Sequence, residues 1–467
     1  MGGKNMFDAK TYARRRAALR RKLRSGIALF LGNDDSPMNY TANAYHFRQD
    51  SSFLYFFGLD SPGLTAVIDA DEGRDIIFGD DIDIEDIIWM GYLPKMIDRG
   101  AEVGVTDTRP ARELSAYLRQ AAAQGREVRF LPPYRSEHLL KLHAHLDIAP
   151  NEAKSKASLE LIKAVIALRS VKSEEEVAEI ETALKTTYKM YETAMRMAQP
   201  GIYERDIAGR IDGIAAADGG ATAFPTILTM NGQILHNHDH SNKLAKDRLL
   251  VVDSGAESRR HYASDITRTV PVGGKFKPRQ RDVYDIVLAA NEAAIKAIKP
   301  GIRYRDIHFM AATTIVKGLT ALGLMKGDTD EAVRQGAHAL FFPHGLGHMI
   351  GLDVHDMENL GENHIGYDRT VERSKQFGLA YLRLAKALKA GYVLTVEPGI
   401  YFIPALIDKW KAAHLSPDFV NYDQVEKYRD FGGIRIEDNV LVTKDGRRVL
   451  GKPIPKKADQ VEAAVNR

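Results

Sequence analysis

The chain has 467 residues, with 65 Lys plus Arg against 62 Asp plus Glu, a formal net charge of +3 and no cysteine. That length fits two or three domains with ample buried core, and so small a net charge provides no field to hold nucleic acid or an anionic membrane. Without cysteine there are no disulfides, no cysteine-held zinc or iron–sulfur cluster and no thiol nucleophile, so any metal must rest on His, Asp and Glu.

No apolar run approaches the ~18–20 residues of a membrane helix. The basic cluster around Arg14, Arg16, Arg20 and Arg24 reads as a surface helix with Leu19 and Leu23 one turn apart. A transit peptide fits less well, because Asp8 interrupts the cluster and no small-residue cleavage site follows. Met6 stands where a myristoylation signal beginning at Gly2 needs Ser or Thr. A cytoplasmic protein is expected.

Short apolar runs at 27–31, 52–57, 65–68, 75–78 and 128–131 alternate with helical stretches such as 112–123, the pattern of an α/β domain. A polar segment at 151–156 follows, and Ser173 with Glu176 has the spacing of a capping box for a helix over 173–197. The division is expected near 165, giving an amino-terminal domain over 1–165 and a second domain over 166–467.

The second domain contains an echo. The eight residues from Pro200 to Ile207 recur from Pro300 to Ile307 with six identities at an offset of one hundred. In both copies a long amphipathic helix ends at the Pro-Gly and another begins near the Asp. A spacing that long predicts two similar halves about a pseudo-twofold axis, with one cleft between them. Each half also ends in apolar strands that carry acids. Asp253 closes 249–255, Asp265 lies on 262–270, Glu397 on 392–399 and Glu437 on 433–440.

Any one of these acids has an ordinary turn or ion-pair explanation, but four in strands that read as buried do not. Like charges at ~4 Å repel by about 4 kcal/mol at an effective dielectric of about 20, so something positive must sit among them. The Gly-rich stretch 342–356 supplies His344, His348 and His355. It matches neither the helical H-E-x-x-H zinc pattern nor a dinucleotide fingerprint, since Gly345 follows His344 and Ile350 takes the third-glycine place. Oxygen-rich ligation with one imidazole suits two close divalent ions of the Mn²⁺ class, which generate hydroxide at neutral pH and steady an oxyanion. The chemistry this predicts is hydrolysis. No G-x-S-x-G elbow or phosphate loop competes, and the tract His236, His238, His240 reads as a polar loop by itself.

The stretches 252–255 (VDSG), 264–269 (SDITRT), 344–348 (HGLGH), 353–356 (DVHD), 393–401 (VLTVEPGIY) and 433–438 (GIRIED) resemble the Xaa-Pro aminopeptidases (aminopeptidase P) and prolidases, metallopeptidases with a pita-bread catalytic domain. Residues 47–50 and 55–58 are similar to that family's amino-terminal domain, so the likeness covers nearly the whole chain. It implies an α/β (α+β) protein with an N-terminal α/β domain before a pseudo-twofold pita-bread domain. It also implies a dimetal exopeptidase that cleaves Xaa-Pro bonds through a metal-bridging hydroxide. Asp253, Asp265, His348, Glu397 and Glu437 would be the metal ligands, Asp265 and Glu437 bridging. Manganese is the expected metal, with cobalt or zinc as alternatives. Glu397 would take the proton of the bridging water, and His355 and His236 would hydrogen-bond substrate and oxyanion. His344 would face substrate, and Arg435 would orient a ligand carboxylate. Twelve positions separate Asp253 from Asp265, one more than the family usually shows.

The resemblance leaves dipeptidase and aminopeptidase open. Residues 402–428 resemble a prolidase insertion, and Arg383 stands where prolidases place an arginine for the substrate carboxylate; by itself Arg383 would also suit a surface helix over 379–388. The partners implied are small peptides with proline second and a second copy of the chain in a homodimer. A catalytically dead pita-bread module that binds a partner is the reading from another class, and the intact ligand set argues against it.

Overall fold

A computed structural model describes residues 7–466, so Gly2 and Met6 lie outside the described residues. Contacts divide the chain into two compact units, one running to Arg169 and including 357–364, the other covering 170–356 and 365 onward. The division expected near 165 falls inside the helix Leu159–Arg169.

In the first unit a five-stranded sheet runs, in spatial order, Asp107–Arg109, Arg74–Phe78, Thr65–Asp69, Ile27–Leu31 and Val128–Phe130. The middle strands pair antiparallel, with Ile27 opposite Asp69 and Thr65 opposite Phe78, and each edge strand adds parallel. Alternate residues Ile27, Leu29, Val67 and Phe78 pack on Leu114, Leu118 and Leu142 of two helices. Phe30 turns the other way, onto Phe56 and Phe57 at 4.9 and 6.0 Å.

Two local expectations change. The apolar run 52–57 is the helix Ser51–Phe57, not a strand: the Asp50 side chain accepts from the Phe53 N–H at 2.8 Å, and Gly58 at φ 66° stops it. An all-apolar run has no period to read, and the cap residues decide it. The amino-terminal helix Ala9–Leu23 is also more than a surface helix. Arg16 is fully buried, pairs with Asp75 at 2.7 Å and donates to the carbonyls of Phe56, Val103 and Gly104.

In the second unit, the helix pairs Glu174–Met197 with Glu204–Ala217 and Pro278–Ala297 with Tyr304–Ala321 realise the echo. The Ser173–Glu176 capping box is formed. Both Pro-Gly turns dock alike. Gly201 and Gly301 donate to the carbonyls of Leu244 and Leu388 at 2.8 and 2.9 Å, and Glu204 and Tyr304 to those of Asn242 and Lys386 at 2.9 and 3.1 Å. Two three-stranded sheets, Ile227–Thr229 with Leu249–Ser254 and Ile266–Pro271, and Arg447–Val449 with Asp438–Val442 and Val393–Val396, carry the acids, beside the hairpin of Gly399–Tyr401 and Gly433–Arg435. Arg268, buried, ties the halves by donating to the Glu437 carbonyl and to Asp438, the latter at 2.7 Å.

Candidate active site

Each acid sits at or beside a strand end, where the chain turns toward one point. Asp253 lies in Leu249–Ser254, and Asp265 immediately precedes the partner strand Ile266–Pro271. Gly255 lets these chains approach, because a Cβ there would stand 1.8 Å from the Ser264 carbonyl oxygen. Glu397 follows Val393–Val396. The continuous strand expected over 433–440 is interrupted at Ile436 and Glu437: the Glu437 N–H leaves its own hairpin to donate to the Thr267 carbonyl at 3.0 Å, which aims its side chain at the first half. His348 is held by its N–H on Thr395 Oγ1 at 3.0 Å, and its Nδ1 bonds the Met349 carbonyl at 3.1 Å, leaving Nε2 as the acceptor for the cluster.

His348 Nε2 lies 3.3 Å from Asp265 and 3.7 Å from Glu397. Ligand atoms of Asp265, His348 and Glu437 all lie within 4.8 Å of one another. Burial, with the neighbouring carboxylates, pushes Asp265 and Glu437 far above the usual carboxylate range and raises Glu397. Asp253 Oδ1, Asp265 Oδ1 and Glu437 Oε1 are buried with no hydrogen-bond partner among the described residues. Three orphaned oxygens from different segments, one aimed imidazole nitrogen and mutual repulsion fit a divalent-cation cage. Asp253 is the exception in detail: its second oxygen accepts from Arg435 Nη2 at 2.6 Å.

A cavity of about 600 Å³ is lined by Asp253 and Glu397 together with His236, His344, His355, Arg383 and Arg435. The cavity and the group of Asp265, His348 and Glu437, which meet where Glu397 lies 3.7 Å from His348, together hold the candidate site residues named from the sequence. His355 stands edge-on to His348 with centroids 4.2 Å apart. Burial and the Arg435 charge hold His236 below its ordinary value and His344 down to about 3, favouring the neutral ring in both. Arg383 is not on a surface helix: only Leu379–Tyr381 forms a 3₁₀ turn, and Arg383 follows it, half-buried, on the cavity wall. His240 is bonded to the Thr226 carbonyl at 3.1 Å and takes no part.

The sequence model described as metallopeptidase family M24 matches residues 178–444, and that of the aminopeptidase P N-terminal domain matches 12–129. A probable Xaa-Pro aminopeptidase of Aspergillus fumigatus is 31% identical over 98% of this chain and 96% of its own length. One from Fusarium vanettenii is 32% identical over 99% and 98%. The chain belongs to the Xaa-Pro aminopeptidase family of M24 metallopeptidases. Among solved structures, a variant of Escherichia coli aminopeptidase P in complex with substrate superposes with a TM-score of 0.80 at 29% identity, covering 99% of each chain. The zinc-substituted enzyme in complex with product gives 0.80 at 28% over 99% of each. The fold is accordingly an aminopeptidase P amino-terminal domain followed by the family's pita-bread domain.

Beyond Arg435, the polar shell behind these carboxylates was not evident from sequence. Arg435 Nη1 donates to Tyr401 Oη at 2.7 Å, and Tyr401 Oη meets His344 Nε2 at 2.9 Å while His344 Nδ1 bonds the Gly345 carbonyl at 2.8 Å. The only consistent proton order has Tyr401 donating to His344. Thr267 donates to Glu437 Oε2 at 2.7 Å. Thr267 and Tyr401 lie inside the motif stretches 264–269 and 393–401, and alternation along those strands was the available signal.

Proposed function

We propose that this chain is a metal-dependent exopeptidase that hydrolyses the bond before proline in Xaa-Pro peptides. The observation that carries the reading is the trio of orphaned carboxylate oxygens, two of them on residues grouped with His348, at a cavity of about 600 Å³ that Asp253 lines. The relatives named Xaa-Pro aminopeptidases, and the aminopeptidase P structures holding substrate or the inhibitor Pro-Leu, support the substrate class. Two divalent ions on Asp253, Asp265, His348, Glu397 and Glu437, manganese before cobalt or zinc, would lower the pKa of a water and polarise the scissile carbonyl.

The protein's own groups do the rest. Glu397 lines the cavity 3.7 Å from His348, where its carboxylate would take a proton from the attacking water and pass it to the leaving proline nitrogen. His236 and His355, on the same wall, donate hydrogen bonds to the substrate and to the oxygen that gains charge. Arg435 fixes the carboxylate of Asp253, and Tyr401 fixes the tautomer of His344.

Half-buried Arg383 on the wall favours acceptance of dipeptides, whose carboxylate adjoins the proline. The division of labour follows the sequence, with a supporting domain over 1–165 and the catalytic domain over 166–467. A homodimer is supported by the helix Ile84–Met90, whose Ile84, Ile88, Trp89 and Met90 are all exposed. No helix among the described residues is long and apolar enough to cross a membrane; a cytoplasmic location is part of the proposal. The test is hydrolysis of an Xaa-Pro dipeptide and an Xaa-Pro tripeptide by manganese-loaded protein, with Xaa-Ala controls. Cleavage of the proline peptides alone supports the reading, and inertness of metal-replete protein refutes it.

A further inference from the structure

The helix Pro404–Ala412 borders the cavity, and nothing in the hydrolytic chemistry uses it. Ile407 and Trp410 bury one side of it, and Trp410 meets Phe377 edge-on at 6.1 Å, which pins the helix to the 377–381 turn. Ala405, Leu406 and Lys409 occupy the adjoining stripe, at i, i+1 and i+4, and all three line the cavity. The helix's other charges are matched. Asp408 accepts from Arg429 at 2.7 and 2.9 Å, and Lys411 lies 3.3 Å from Glu426. Among the three charged side chains of this helix, only that of Lys409 has no ion-pair or hydrogen-bond partner among the described residues.

An exposed lysine is ordinarily just hydrated. This one sits on a braced helix at the mouth of a substrate cavity, beside an apolar wall of Phe377, Tyr381 and Leu406, of which Phe377 and Tyr381 are 39% and 57% exposed. Arg435 is committed to Asp253 and Tyr401, which leaves the cavity two further cations that differ in exposure. Arg383 is half-buried and its charge acts on His236 and His344, whereas Lys409 is exposed. Each residue added after proline carries the terminal carboxylate outward by ~3.5 Å. We propose that Lys409 is a specificity-determining residue that binds the terminal carboxylate of Xaa-Pro tripeptides, with Phe377, Tyr381 and Leu406 receiving the third side chain. The inference rests on the Xaa-Pro hydrolase reading above.

The experiment compares manganese-loaded wild type, Lys409→Met and Lys409→Arg on Ala-Pro, Ala-Pro-Phe and Ala-Pro-Phe amide. Lys409→Met is expected to raise KM for Ala-Pro-Phe about three- to five-fold, the scale of one exposed ion pair, at unchanged kcat. The amide and the dipeptide lack a carboxylate at that depth and should not respond, and Lys409→Arg should restore the wild-type KM. Equal loss on acid and amide, loss confined to Ala-Pro, or no change on any peptide overturns the assignment while leaving the hydrolase reading intact. A wild type that cleaves none of the three refutes the hydrolase reading, and this inference with it.

Discussion

Glu437 has one oxygen satisfied by Thr267 at 2.7 Å and the other buried with no partner among the described residues, and Asp265 Oδ1 is likewise buried without one. Such a pair destabilises the metal-free fold, because neighbouring buried carboxylates repel and neither is solvated. Stability and function should therefore part company there. Glu437→Gln is expected to abolish turnover and yet to raise the stability of chelator-treated protein by about 0.5–2 kcal/mol, read from the urea midpoint. A destabilised apo variant would show that the second oxygen of Glu437, like the one on Thr267, is held by the fold itself. Tyr401 poses the opposite case, since its hydroxyl satisfies both Arg435 and His344. Tyr401→Phe strands one donor and one acceptor and should lower kcat/KM about 10–100-fold, as loss of outer-shell partners does in metal sites. Unchanged kcat/KM would reduce Tyr401 to a packing residue. The clustered acids were legible in the sequence because acids in apolar strands are costly and therefore conspicuous. Tyr401 was not, because an aromatic in a strand also has the ordinary explanation of core packing.

Among elements, the echoed Pro-Gly turns were legible for a physical reason: both demand a backbone that other residues avoid. Gly201 and Gly301 have φ of 93° and 87°, and a Cβ on Gly301 would meet nothing within 4 Å, so strain there is conformational and not steric. Gly201→Ala and Gly301→Ala should each cost about 1–2 kcal/mol, and the double variant should show the sum, because the turns make parallel but separate contacts. Chemical denaturation of the four proteins checks this, and strongly unequal losses would mean that the two copies are not equivalent in the fold. Where periodicity was silent, reading failed. The run 52–57 is apolar at every position from Phe53 on, so only Asp50 and Gly58 revealed the helix. The interruption at Glu437 has no local signal, since it is made by a hydrogen bond to Thr267, 170 positions away. Likewise residues 379–388 have a helical pattern in sequence, yet Ala385 and Lys386 donate to the Gly366 carbonyl at 2.9 and 2.8 Å.

At the scale of the whole molecule, stability should depend on pH through two histidines far from any acid that would pair with them. His308 and His338 are fully buried with ring centroids 6.0 Å apart, and none of their four ring nitrogens has a partner among the described residues. His308 stacks on Phe342 at 5.1 Å, and Phe342 meets His344 edge-on at 4.9 Å, so the pair lies directly behind the active-site loop. Burial holds His338 down to about 4 and His308 well below its ordinary value. Because the folded values are depressed, the fold excludes protons that the unfolded chain accepts below its own value of about 6.5. Above that pH both states are neutral and nothing is lost. As pH falls from about 6.5 toward about 4, each histidine removes up to about 1.4 kcal/mol of stability per pH unit. His308→Phe, which keeps the stack on Phe342, should therefore flatten the acid limb of a stability-versus-pH curve by one proton's slope while leaving the limb above pH 7 parallel to wild type. Taking the difference between variant and wild type at each pH cancels the carboxylates common to both. A difference that stays constant from pH 7 to pH 4 would mean that His308 takes up its proton inside the fold.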